Sequence, residues 1–186
     1  MRQPARFPFS DDRFFVAPAS GKVIAVAHSY DEFFELCKKN KKVCDLFVWD
    51  VGKKVSVISI MLSVLDVHCQ RAPAHSQLLD SKYVAGKFLN AVVDAWSLKA
   101  TFQNEHNQML FQSNWWTRFK IVQIAWFLAR RIVQYAVPHH SYQKWDMIGF
   151  IKMGSQVTIV FDDSVSICVE VWQHLVDWES IVAVKK

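Results

Sequence analysis

The sequence predicts a mainly β, α+β fold: a single compact domain over residues 1–186, sandwich-like or barrel-like, with one or two short helices. Three observations carry that expectation. Short runs of β-branched and aromatic residues, such as "VSVISIMLSVL", "VTIVF" and "SIVAVKK", recur along the chain between turns. Only "SYDEFFELCKKNKK" shows clear helical period. The chain of 186 residues, 52% hydrophobic and 21% charged, is long enough to bury one core.

Taken in order, residues 1–16 read as irregular. "VAPASGKVIAVAH" is a Pro/Ser/Gly turn followed by an alternating strand. In "SYDEFFELCKKNKK", Ser29 and Glu32 form a capping box, and Phe33, Leu36 and Cys37 share one face. The lysines that follow suit the negative end of a helix dipole. "VSVISIMLSVLDV" is apolar on both faces, the pattern of a central buried strand. "HCQRAPAHS" reads as a loop broken by Pro73. "KYVAGKFLNAV" and "QMLFQS" are strand candidates. "FKIVQIAWFLARRIVQYAV" has strand composition at first, then a helical turn around Ala129-Arg130-Arg131. "VTIVF", "VSICVEVW" and "SIVAVKK" are three further short strands.

The totals narrow the function classes. A net charge of +5 is too mild to imply nucleic acid as the partner; it suits an anionic membrane surface, or no charged partner at all. Cys37, Cys44, Cys69 and Cys168 show no CxxC pair and no metal-ligand rhythm. They read as free thiols of a reducing, cytoplasmic compartment, with no metal site. The first residues lack the apolar core of a secretion signal. The most apolar stretches fall short of the ~20 residues that span a bilayer, so membrane contact is expected to be peripheral.

Three segments carry candidate chemistry: Asp66-Val67-His68 with Arg71 and Pro73 following, "VQIAWFLARRI" (122–132), and "IGFIKMGSQV" (148–157). Read alone, each residue has a plainer role. Ser155 is then a strand-edge hydroxyl, His68 a hydrogen-bonded turn residue, and Asp66 a turn cap. Asn104, Glu105 and Asn107 are then loop polars, and Arg130-Arg131 a solvated pair. Together, with "APASGKV" (17–23), "DVHCQRAPAHS" (66–76) and "NEHN" (104–107), the segments resemble the phosphatidylserine decarboxylase family in its short, archaeal-type form. That family reads roughly SPADGKV, DVHxNRxPxxG, NER, QIAGxxARRI and IGxIKFGSxV, in the same order and spacing.

The resemblance implies a proenzyme that cleaves itself between Gly154 and Ser155, giving fragments 1–154 and 155–186. Ser155 would attack the Gly154 carbonyl, and elimination then hydrolysis would leave a pyruvoyl group as the cofactor, with no metal and no pyridoxal phosphate. A pyruvoyl carbonyl would join the substrate amine as a Schiff base and act as electron sink during loss of CO2. His68 is the candidate acid–base group. Arg71, Glu105 and Asn107 are the candidate substrate-binding residues, Arg71 toward a carboxylate or phosphate. The implied partner is a phospholipid substrate or membrane surface, without nucleic acid, and a homodimer is compatible.

Several positions depart from the family pattern. Ser20 stands where SPADG has its acid, and a serine cannot stabilise an imidazolium as a carboxylate does. Asp11, Asp12 and Asp66 are the acids available to compensate. Trp126, Trp145, Trp172 and Trp178 stand at family glycines, and Ser76 replaces another; the chain has 8 Trp and 5 Gly. These departures keep two alternatives open. One is a non-processing, inactive relative that binds lipid or a partner; the other is a decarboxylase of a soluble amino acid. A serine hydrolase built on Ser155 and His68 lacks a nucleophile elbow.

Overall fold

The structure is a computed structural model. It describes residues 9–37, 41–86, 104–125, 132–151 and 155–186. Gly154, Trp96, Trp126, Arg130 and Arg131 lie outside these residues.

The described chain runs β1 (Phe14–Val16), β2 (Gly21–Ala27), α1 (Tyr30–Leu36), α2 (Lys41–Val48), β3 (Val55–Leu62), β4 (Cys69–Arg71) and β5 (Ser76–Val84). It continues with β6 (His106–Ser113), β7 (Arg118–Ala125), β8 (Ile132–Gln134), β9 (Ser141–Tyr142) and β10 (Met147–Ile151). It closes with β11 (Ser155–Asp162), β12 (Val165–Ile167), β13 (His174–Leu175) and β14 (Ile181–Lys185). The mainly β expectation is met.

An antiparallel eight-stranded sheet, in the order β13-β2-β3-β11-β7-β6-β5-β9, is the spine of the fold. Two three-stranded sheets, β1-β14-β12 and β4-β10-β8, accompany it. Strand periodicity explains the layering. On β3, Ile58, Ile60 and Leu62 join a core that includes Phe15, Phe111, Phe119, Ile159 and Phe161. Val55 and Val57 point the other way, into a second core with Phe33, Cys37, Cys44 and Phe47 from the helices. Both faces of β3 are therefore buried, as its unbroken apolar run requires.

The first helix begins at the Ser29 cap, whose side chain accepts from the N–H of Glu32 at 3.2 Å. Glu32 reaches back to the N–H of His28, one residue before the cap, at 2.6 Å. The segment is two helices, so Lys41 and Lys42 do not close the first one; Lys38 and Lys39 lie outside the described residues. α1 stops at Leu36, and Lys41 opens α2, where it pairs with Asp45 at 3.6 Å. A cation at a helix start gains nothing from the dipole, so the i,i+4 ion pair is its local support.

Other expectations also shift. Residues 14–16, read as irregular, pair with Val184, Ala183 and Ile181 of β14. "HCQRAPAHS" contains β4, held by β10. Of "VSICVEVW", only Val165–Ile167 is a strand. Of "KYVAGKFLNAV", the end of β5 is described and residues 87–92 are not. These strands are short and gain their order from long-range pairing, which local composition does not encode. Among the described residues, no helix is long and apolar enough to cross a membrane.

Candidate functional site

Ser155 is the first residue of β11, in register with Leu62 of β3 and Ala125 of β7. Alternation puts it on the same face as Val157, Ile159 and Phe161, the face covered by the small sheets. It is fully buried, and its Oγ has no hydrogen-bond partner among the described residues. A buried hydroxyl without a partner costs free energy, so its retention calls for a reason beyond packing.

His68 enters from the β3–β4 connection. Its carbonyl accepts the N–H of Ile151, the last residue of β10, at 3.2 Å. The connection that leaves Ile151 re-enters the sheet at Ser155, so the two candidate groups flank its two ends. His68 Nδ1 lies 2.7 Å from the carbonyl of Asp66. A carbonyl only accepts, so Nδ1 carries the proton and Nε2 keeps its lone pair. That Nε2 is also buried with no partner among the described residues. The ring is thus held in the tautomer that a general base needs.

Asp66 plays the plain role foreseen for it. Its Oδ2 accepts the N–H of Ser63 at 2.7 Å, closing a tight turn, and its Oδ1 lies 3.2 Å from Nε2 of His174.

Sequence reading missed a chain of buried amides. Gln70 Nε2 donates to the His68 carbonyl at 2.8 Å, and Gln123 Nε2 donates to Gln70 Oε1 at 2.8 Å. Asn107 Nδ2 donates to Gln123 Oε1 at 3.0 Å and to Gln134 Oε1 at 2.9 Å. This network braces the His68 backbone from β6, β7 and β8 at once. The available signal was an amide inside an apolar run, as in "KIVQIA", where burial demands a partner. Asn107, expected to bind substrate, spends both amide hydrogens inside this network. Gly149 makes room for it: a methyl there would lie 2.5 Å from Gln123 Nε2 and 2.9 Å from the Val133 carbonyl. Gly149→Ala is therefore expected to cost about 1–3 kcal/mol, read as a lower urea midpoint.

Arg71 donates from Nη1 to the Trp145 carbonyl at 2.9 Å, and its Nε lies 3.8 Å from Oδ2 of Asp177. The substrate-facing role expected for it thus competes with an internal ion pair. Ser20, buried, donates to Asp177 Oδ1 and accepts the Asp177 N–H at 3.1 Å. The acids expected to compensate for Ser20 are engaged elsewhere. Asp11 holds Arg13 at 2.7 Å, Asp12 lies 3.5 Å from His75 and 3.8 Å from Lys144, and Asp66 closes its own turn. Glu105 is half-buried; it bonds Tyr83, whose phenol is pushed up first by burial and then by that bond.

A second polar cluster lies on the helix-covered face. Lys120 pairs with Asp50 at 2.5 Å and donates to Gln108 at 3.1 Å, and Gln108 contacts His106 at 3.1 Å. Burial pushes Lys120 and His106 down. Alternation separates this cluster from Ser155, so it braces α2 rather than the candidate site.

Known proteins resemble this chain along nearly its whole length. A family model described as phosphatidylserine decarboxylase matches residues 1–183. A phosphatidylserine decarboxylase proenzyme of Syntrophotalea carbinolica is 34% identical over 185 residues, covering 100% of this chain and 77% of the relative. One of Pelagibacter ubique is 32% identical, covering 99% and 77%. One of Geobacter metallireducens is 29% identical, covering 97% and 73%.

Proposed function

Because the chain belongs to the phosphatidylserine decarboxylase family, we propose that it is a self-processing, pyruvoyl-dependent carboxy-lyase that converts phosphatidylserine to phosphatidylethanolamine. The observation that carries the reading is a pair of buried atoms without partners among the described residues, Ser155 Oγ and His68 Nε2, at the two ends of one connection. They fit the two groups that processing needs, a nucleophile and a base.

In this reading His68 Nε2 takes the Ser155 proton as Oγ adds to the Gly154 carbonyl. The peptide C–N bond breaks as the ester C–O bond forms. Loss of the Ser155 α-proton then expels the Gly154 carboxylate and leaves dehydroalanine. Water replaces its nitrogen, which departs as ammonia, and the ketone remains. Once formed, the pyruvoyl carbonyl supplies the electron sink for decarboxylation. His68 can return the proton to the substrate carbon.

Processing would leave the fold joined. β11 pairs along its length with β3 and β7, so fragment 155–186 supplies a central strand of the sheet. The fragments are expected to co-elute under native conditions and to separate only on a denaturing gel. Intact-mass measurement tests the reading. Two species are expected, the smaller lighter than a serine-started 155–186 peptide and reducible by borohydride in the presence of an amine. One stable full-length mass would instead favour the non-processing relative.

The lipid surface is the partner best matched to the turn beside this site. Hydrogen bonds of Asp66 and Ser63 hold Val64 and Leu65 out to solvent, Leu65 at 92% exposure. His174 bonds Asp66, and Lys22 pairs in register with His174, so the strand pair beside the turn carries a lysine. Val64→Ser with Leu65→Ser is expected to weaken flotation with phosphatidylserine-containing vesicles about tenfold, while processing continues. Unchanged flotation would exclude this face.

A further inference from the structure

We propose that Asp177 supplies, from the far end of the chain, the carboxylate that the family motif places at residue 20. Ser20 and Asp177 are 157 residues apart, yet both are buried and bond each other twice, hydroxyl to carboxylate and N–H to hydroxyl. A buried carboxylate persists as a charge only beside a cation. Here that cation is Arg71, 3.8 Å from the second carboxylate oxygen and anchored on the Trp145 carbonyl. The negative charge absent from the β1–β2 connection is thus restored from the β13–β14 connection, with the Ser20 hydroxyl as its anchor. Asp177 is a positioning residue, acting through Arg71 and Ser20. It lies on the 155–186 side of the proposed cleavage, and Ser20 and Arg71 lie on the other, so these contacts also tie the fragments.

Its effect on processing rests on the self-cleavage reading, and four chains separate the two. They are the unaltered protein, Asp177→Ala, Asp177→Asn, and Asp177→Ala combined with Ser20→Asp. Cleavage is expected to slow at least about tenfold in both single variants. Asp177→Asn preserves the shape and removes only the charge. The Ser20→Asp combination is expected to recover to within about threefold of the unaltered rate. Unaltered cleavage in Asp177→Asn, or no recovery in the combination, overturns the assignment. If the unaltered chain never cleaves, the processing reading fails, and thermal midpoints of the same chains decide the charge relocation. Recovery of the midpoint by Ser20→Asp supports it, and no recovery overturns it.

A separate observation concerns the tryptophans, and we infer that they occupy glycine positions of this fold because one codon is read as glycine by the cell that makes the protein. Among the described residues, five that are not glycine have positive φ, and four of them are tryptophans: Trp116 (62°), Trp145 (76°), Trp172 (76°) and Trp178 (55°). The fifth is His139, of a type enriched in that region. Bulky residues rarely sit there, and glycine does so freely. Backbone hydrogen bonds fix all four turns, from the N–H groups of these residues to the carbonyls of Ser113, Ala72, Val23 and Ala17, at 3.0, 2.8, 2.8 and 3.0 Å.

Burial points the same way. Tryptophan is highly buried on average, but none of Trp49, Trp115, Trp116, Trp145, Trp172 and Trp178 is buried. Trp49 is 73% and Trp116 80% exposed. "SNWWTR" spans the β6–β7 hairpin, and Trp116 holds the left-handed position that such longer hairpin loops usually give to glycine. Separate mutations would not choose one residue type at glycine sites throughout a chain, whereas a single reassigned codon does. Peptide mass spectrometry of the protein from its own cell tests this. Each peptide holding one of the eight positions is expected to be lighter by the difference between tryptophan and glycine residues, and the protein to lack tryptophan fluorescence. Peptides that carry tryptophan overturn the inference.

Discussion

Glycine at positions 116, 145, 172 and 178 is expected to stabilise the fold, with a thermal midpoint about 5–10 °C above that of the tryptophan-bearing chain. Each of these residues holds a positive φ. A side chain there costs about 1–2 kcal/mol through contact between Cβ and the backbone. Glycine removes that strain but frees the unfolded chain, which returns about 0.4–1 kcal/mol. The net gain is thus about 1 kcal/mol per site, and each such increment raises the midpoint by about 2–4 °C in a domain of this size. The single variants should differ. Trp172 lies 4.6 Å from the Lys22 ammonium, and Trp178 lies 4.3 Å from the Arg71 guanidinium. Losing such a contact offsets about 0.5–1 kcal/mol at exposed sites. Trp116→Gly should therefore gain most and Trp178→Gly least. Scanning calorimetry of the four single variants checks the order. A fall in midpoint at Trp116→Gly would show that the turn tolerates the side chain.

Ser155→Ala is expected to leave one uncleaved chain with no decarboxylase activity, and with stability close to that of the unprocessed parent. The reason is local. The substitution keeps the backbone pairing with Leu62 and Ala125 and removes only an Oγ that bonds nothing among the described residues. Losing an unsatisfied buried hydroxyl costs the fold little. His68→Ala should instead slow cleavage by about 10²–10⁴, the usual contribution of a positioned base. It should also disturb the turn at Asp66, whose carbonyl would lose the Nδ1 donor. A time course of fragment appearance on denaturing gels, with melting curves beside it, separates the two behaviours. Normal cleavage in Ser155→Ala would remove Ser155 as the nucleophile.

Ser155 and His68 stood out as candidates through the family resemblance, since each read alone has a plainer role. The amides of Gln70, Gln123 and Gln134 did not, because a glutamine in an apolar run says only that some partner must exist. The compensating acid was sought at Asp11, Asp12 and Asp66. Those residues lie near the motifs in sequence but are committed to Arg13, to His75 and Lys144, and to the Ser63 turn.

By itself the sequence determined the strand-rich class, the Ser29 cap of the first helix, the two-sided burial of β3 and the order of the motifs. All of these depend on period and residue type within a few positions. Tertiary structure alone decided that one lysine-rich stretch opens a second helix, that Asp177 meets Ser20, and that four tryptophans turn the backbone through glycine's conformation. The physical reason is common to the last two. Sheet register brings together residues far apart in the chain, and it sets backbone angles at the turns whatever side chain is placed there.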